Sequence, residues 1–82
     1  MAEDKKRLAI CAAVAQILQK ERTQRRLTLA AVAAKAGLSY QMIRFVETQK
    51  RNPTLDTLLR ICDAMDIEFI EMMKRATKAA KK

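Results

Sequence analysis

One glycine and one proline in 82 residues leave almost no chemistry for tight hairpin turns. No segment alternates apolar and polar residues with period two. Ala, Leu, Lys, Arg, Gln and Glu, the vocabulary of helices, dominate instead. The chain is expected to be all-α. Its 82 residues make one domain, since a second is expected only well beyond roughly 150. A core this small would gain from burial against a partner subunit.

Composition excludes several function classes. There is no His, and Cys11 and Cys62 lie far apart within apolar helical patterns. That leaves neither a zinc finger nor a CxxC redox site, and two reduced, buried thiols are expected, with a disulfide left open. Without clustered acids or a nucleophile–base pair there is no candidate catalytic residue. No metal, cofactor or small-molecule ligand is expected. The longest apolar run, "LAICAAVAQIL", is about half the length that spans a bilayer. The preceding "MAEDKKR" contains acids, and no small-residue cleavage site follows. The expectation is a cytoplasmic protein with no membrane partner.

The formal charge is +8, and it is segregated. Residues 20–52 carry eight bases against Glu21 and Glu47, whereas residues 53–73 carry Arg60 against five acids. From Lys74 onward there are five bases and no acid. A basic middle segment fits a polyanionic partner.

Periodicity predicts five helices. The first runs from about Asp4 to Glu21, with Ile10, Val14 and Ile17 on one stripe and Leu8, Cys11, Ala15 and Leu18 beside it. Thr28 is a good N-cap for a short second helix that ends near Ala36, with Gly37 as its left-handed C′ residue. Ser39 caps a third helix, Tyr40 to about Thr48. Pro53 forces a turn, and Thr54 caps a fourth helix over Leu55–Met65 that buries Leu55, Leu58, Leu59, Cys62 and Met65. A fifth helix from about Glu68 frays into "TKAAKK". Residues 1–77 are thus expected to form the domain and 78–82 a disordered basic tail.

The stretch around Gly37 has a further property. Val32, Ala33 and Ala36 line one face of the second helix, while Leu38, Ile43 and Val46 supply the facing surface. A small residue at a helix crossing followed by a tight turn is the helix-turn-helix pattern, here Thr28–Thr48, whose second helix is held out for the major groove. With "AAVAAKAGLS", Arg22 six residues before Thr28, Ile43 and Glu47, and "KRNP.L..L" from Lys50, the sequence resembles the lambda-repressor-like (Cro/CI, XRE-type) family of DNA-binding proteins from about Leu18 to Met73. The resemblance implies a transcriptional regulator, of repressor or controller type, that reads double-stranded DNA. It departs from the family at Leu29, where a Gln is usual, and at Arg26, where a turn glycine is common.

The third helix is then the reader. At roughly 100° per residue, Ile43 and Val46 define its inner face, Gln41, Phe45 and Thr48 point away, and Arg44 lies on the flank. Gln suits adenine and Arg suits guanine in bidentate contacts, and Phe45 would meet a thymine methyl. Packing of Phe45 on the following loop or on another subunit is an equal alternative; Tyr40 suits a phosphate as well as a base edge. The base-reading set is Tyr40, Gln41, Arg44 and Phe45. The resemblance implies phosphate contacts from Thr28, Thr48, Lys50, Arg51 and Asn52. It also implies a structural ion pair between Arg22 and Glu47, and a homodimer whose two-fold face on the last helix holds Phe69, Ile70 and Met73. Two alternatives stand beside this reading: a protein-interaction module or antitoxin-like partner of another protein that keeps the fold, and a nonspecific nucleic-acid binder. A nucleoid-associated protein in the cytoplasm is expected.

Overall fold

The computed structural model describes residues 2–81. They form five helices and no strand: α1 (Ala2–Gln24), α2 (Leu29–Ala36), α3 (Tyr40–Glu47), α4 (Leu55–Ala64) and α5 (Phe69–Ala80). α5 packs along α1, while α2 is wedged against both α3 and α4 and α1 touches α3. Helices of eight to twelve residues such as α2 to α5 have little stability alone and depend on this mutual packing. The buried set is apolar throughout, centred on Leu18, Val32, Ile43, Ile61, Cys62 and Met72.

Local chemistry sets the boundaries. Thr28, Ser39 and Thr54 accept the backbone N–H groups of Ala31, Met42 and Thr57 at 3.0, 3.0 and 3.1 Å, so each fills a donor position that the first turn leaves empty. At the other ends α1 to α4 share one device. Arg26, Gly37, Gln49 and Asp66 all adopt positive φ, at 57°, 69°, 62° and 55°. In each case the following residue donates to the carbonyl five positions back: Leu27 to Arg22, Leu38 to Ala33, Lys50 to Phe45 and Ile67 to Cys62. This is the Schellman closure. Only one of the four turns uses glycine, and there a Cβ would also sit 3.3 Å from the Arg60 guanidinium.

Several expectations change. α1 is longer than expected at both ends, and Leu8 is 64% exposed because only the end of α5 reaches the start of α1. α4 turns Leu58, Ile61, Cys62 and Met65 inward, a stripe at i, i+3, i+4 and i+7. Leu59 lies about 100° round from Leu58 and Leu55 sits in the first turn, so both stay exposed. α5 continues through Ala80 rather than fraying from Thr77, since Ala76 is fully buried and Ala80 shares a groove with Ala9 and Ile10 of α1. Residues 78–80 are therefore helical, and Lys82 lies outside the described residues. Both cysteines are free thiols. Burial, reinforced by the neighbouring Asp63 carboxylate, pushes the Cys62 thiol up to about 11. No helix among the described residues is long and apolar enough to cross a membrane.

Candidate nucleic-acid interface

α3 is anchored by two fully buried side chains, Ile43 and Val46, with Met42 half-buried beside them. Its remaining surface faces outward. Tyr40, Gln41 and Arg44 are exposed, as are Thr28 at the start of α2 and Thr48, Lys50, Arg51 and Asn52 beyond α3. These candidates line one continuous edge: the start of α2, the outer face of α3 and the loop that follows.

The orientation of α3 is fixed from behind. Arg22 grips Glu47 in a bidentate pair, Nε to Oε2 at 2.6 Å and Nη2 to Oε1 at 3.0 Å, and its Nη1 donates to the Leu27 carbonyl at 2.9 Å. Both side chains are largely buried, at 13% and 6% exposure. Hydrogen bonding to Glu47 raises the already high affinity of the Arg22 guanidinium for its proton. The one fork therefore binds the end of α1, the α1–α2 turn and the last turn of α3.

The electrostatics of the edge are one-sided. Among the described residues, Arg26, Lys35, Arg44, Lys50 and Arg51 have no carboxylate within ion-pair distance. By contrast, Glu21, Asp56 and Glu71 are taken up by Arg25 and Arg75, Arg60, and Lys74 on other faces. Uncompensated cations clustered beside an outward helix form an anion-seeking surface.

Two candidates are engaged differently from expectation. The Thr48 hydroxyl donates to the Arg44 carbonyl at 2.8 Å, so its proton is spent inside α3 rather than offered outward. Phe45 is half-buried, and the Arg51 guanidinium lies over its ring, 5.6 Å from the centroid. Leu29 is half-buried against the core, a packing role in place of a polar one. Behind the Gln49–Pro53 loop is an apolar cavity of about 140 Å³ walled by Ile10, Cys11, Val14, Leu58 and Met73. No residue pattern announces this cavity before the helices are placed. Nor did the sequence point to Glu21, which joins Arg25, just past the end of α1, to Arg75 of α5; the only signal was the i,i+4 spacing of Glu21 and Arg25.

At the opposite end of α5's apolar face, Met72 and Ala76 enter the core. Phe69 and Met73 are half-buried, and Ile70 is 60% exposed beside them, in an open groove that continues to Lys74 and Lys78. Among the described residues no group of three or more His, Cys, Asp or Glu side chains is placed to hold a metal ion.

A family model described as helix-turn-helix matches residues 18–72, more than half of the chain. The chain belongs to this XRE-type helix-turn-helix family. Membership makes it a DNA-binding regulator. Two solved structures share the fold at 22% identity. One is a tyrosine-to-alanine variant of the restriction–modification controller protein C.Esp1396I, with a TM-score of 0.78 over 84% of this chain and 90% of that one. The other is a tyrosine-to-phenylalanine variant of the same controller bound to its highest-affinity operator site, with a TM-score of 0.81 over 90% and 97%. No curated protein matches the sequence. Within the helix-turn-helix family α2 and α3 are the motif's two helices.

Proposed function

We propose that the chain is a sequence-specific transcriptional regulator of repressor or controller type that reads a palindromic operator as a homodimer. α3 enters the major groove, with Tyr40, Gln41 and Arg44 at base edges. Phosphates on either side are met by Thr28, Lys50, Arg51 and Asn52, with the backbone at Thr48. The observation that carries this reading is the outward face of α3: exposed hydrogen-bonding side chains flanked by cations without acidic partners, on a helix held from behind by the Arg22–Glu47 fork. The Arg44 guanidinium can donate twice to guanine, at O6 and N7, and the Gln41 amide can donate to adenine N7 while accepting from its N6 amino group.

The homodimer rests on the last helix. Ile70 is 60% exposed on the apolar edge that includes Phe69 and Met73, more apolar surface than a small monomer gains by leaving in water. An isologous contact there would place two copies of α3 about 34 Å apart, one turn of DNA. Likeness of fold to a controller protein solved on its operator supports the same class of action, which would take place on the nucleoid in the cytoplasm.

Selection from random-sequence duplex DNA at near-physiological salt tests the proposal. The expected product is a palindrome with half-sites one helical turn apart, and the Gln41→Ala/Arg44→Ala protein should lose enrichment at the positions it no longer reads. Folded wild-type protein that enriches no motif would sink the reading in favour of a nonspecific binder or an interaction module.

A further inference from the structure

The Phe45–Arg51 contact assigns Phe45 a task other than touching a thymine. Lys50 and Arg51 fold back onto Phe45, while Gln49 closes on Val46. The Phe45 carbonyl accepts the N–H of Lys50 at 2.9 Å and of Arg51 at 3.3 Å, and the Phe45 ring carries the Arg51 guanidinium at 5.6 Å from the centroid. Arg51 is exposed and has no carboxylate partner among the described residues, and it borders the apolar cavity behind the loop. No charge therefore fixes its direction. The aromatic face does.

A flexible arginine loses rotamer freedom when it clamps a phosphate. Stacked on a ring, the guanidinium keeps its donors free at the edges, because the π-face engages only its plane. Phe45 follows Gln41 by one helical turn, so the stacked group sits beside the proposed base-reading stripe. We infer that Phe45 is a positioning residue: it holds Arg51 in place to meet the DNA phosphate next to the base pair that Gln41 reads. This rests on the DNA-reading proposal above. It replaces the thymine-methyl role expected from the sequence.

The test is equilibrium binding of the full chain to a labelled random-sequence duplex, titrated with salt. The proteins are wild type, Phe45→Leu, Phe45→Tyr, Arg51→Ala, Arg51→Lys and the double variants Phe45→Leu/Arg51→Ala and Phe45→Leu/Arg51→Lys. Phe45→Leu keeps apolar bulk and removes the π-face. It should weaken binding about three- to tenfold and reduce the salt slope by about one phosphate contact. Phe45→Tyr should behave as wild type. The Phe45→Leu/Arg51→Ala variant should be no weaker than Arg51→Ala, since each change removes the same contact. Arg51→Lys, at an exposed position that leaves folding alone, should also weaken binding in the wild-type background but not alongside Phe45→Leu.

Additive losses in the Phe45→Leu/Arg51→Ala variant, or a Phe45→Leu protein with unchanged salt slope, would overturn the positioning role while leaving DNA binding intact. In a parallel selection from the random-sequence pool, a Phe45→Leu protein that loses only a preference for thymine at one position would return Phe45 to base reading and equally overturn the positioning role. Wild-type protein that binds no duplex in a salt-dependent way would instead bring down the DNA-reading proposal and this inference with it.

Discussion

At the scale of single residues, the Arg22–Glu47 fork carries the largest consequence. Its three hydrogen bonds satisfy a nearly buried guanidinium and carboxylate together. Removing one partner strands the other away from water, which costs more than the pair itself contributes. Glu47→Ala should lower stability in urea unfolding by about 3 kcal/mol. An Arg22→Met/Glu47→Leu protein should recover most of that loss, because no charge is left unpaired. Equal destabilisation of the single and double variants would show that packing, not the stranded charge, sets the cost. The residues of this fork were legible in the sequence through the family pattern alone. Spacing gives no hint that positions 22 and 47 meet, because that requires α1 and α3 to be placed first. Phe45 shows a related limit: its direction on α3 follows from helix geometry, which left loop packing and base contact both open, and the arginine that covers it belongs to a loop whose path periodicity does not encode.

At the scale of elements, helix starts were readable and several helix ends were not. A Thr or Ser cap lies three residues from the N–H it accepts, so Thr28, Ser39 and Thr54 announce themselves. Gly37 announces its left-handed turn in the same local way. Arg26, Gln49 and Asp66 adopt the same conformation without glycine, and nothing in their identity says so. The inward stripe of α4 was likewise hidden, since Leu58–Met65 and Leu55–Leu59 are both apolar and only the position of α2 chooses between them. Left-handed geometry is strained for residues with a Cβ, by roughly 1 kcal/mol or more. Arg26→Gly should therefore raise the unfolding free energy in urea by up to about 1 kcal/mol after the greater freedom of unfolded glycine is offset. Gly37→Ala should lower it, through the φ of 69° and the nearby Arg60. A destabilised Arg26→Gly protein would mean that this side chain stabilises the native state by more than the strain it imposes.

At the scale of the whole molecule, the long α1–α5 contact closes the fold. Glu21 is its electrostatic clasp, with its carboxylate bound to Arg25 and, at 2.8 Å, to Arg75. Hydrogen bonds from Arg25, then from Arg75, hold this carboxyl below its ordinary value of 4.5 despite partial desolvation. The native state thus binds the proton less tightly than the unfolded chain does. The clasp is fully present above pH 4.5 and is lost as pH falls through the depressed native value. Glu21→Gln should accordingly flatten the decline of stability below pH 4.5, measured by thermal melting across that range. A variant that loses stability on acidification as steeply as the wild type would assign the acid limb to other carboxylates.

The same closure makes the two ends of the described chain neighbours. Lys5, Lys6, Ala9 and Ile10 share one groove with Thr77, Ala80 and Lys81. A short flexible peptide would bridge that gap without crossing α3 or its flanking loop. Joined head to tail, the polypeptide would become a ring whose unfolded form has fewer shapes to explore, while α3, which lines no part of that groove, stayed as it is. The architecture thus lends itself to cyclisation.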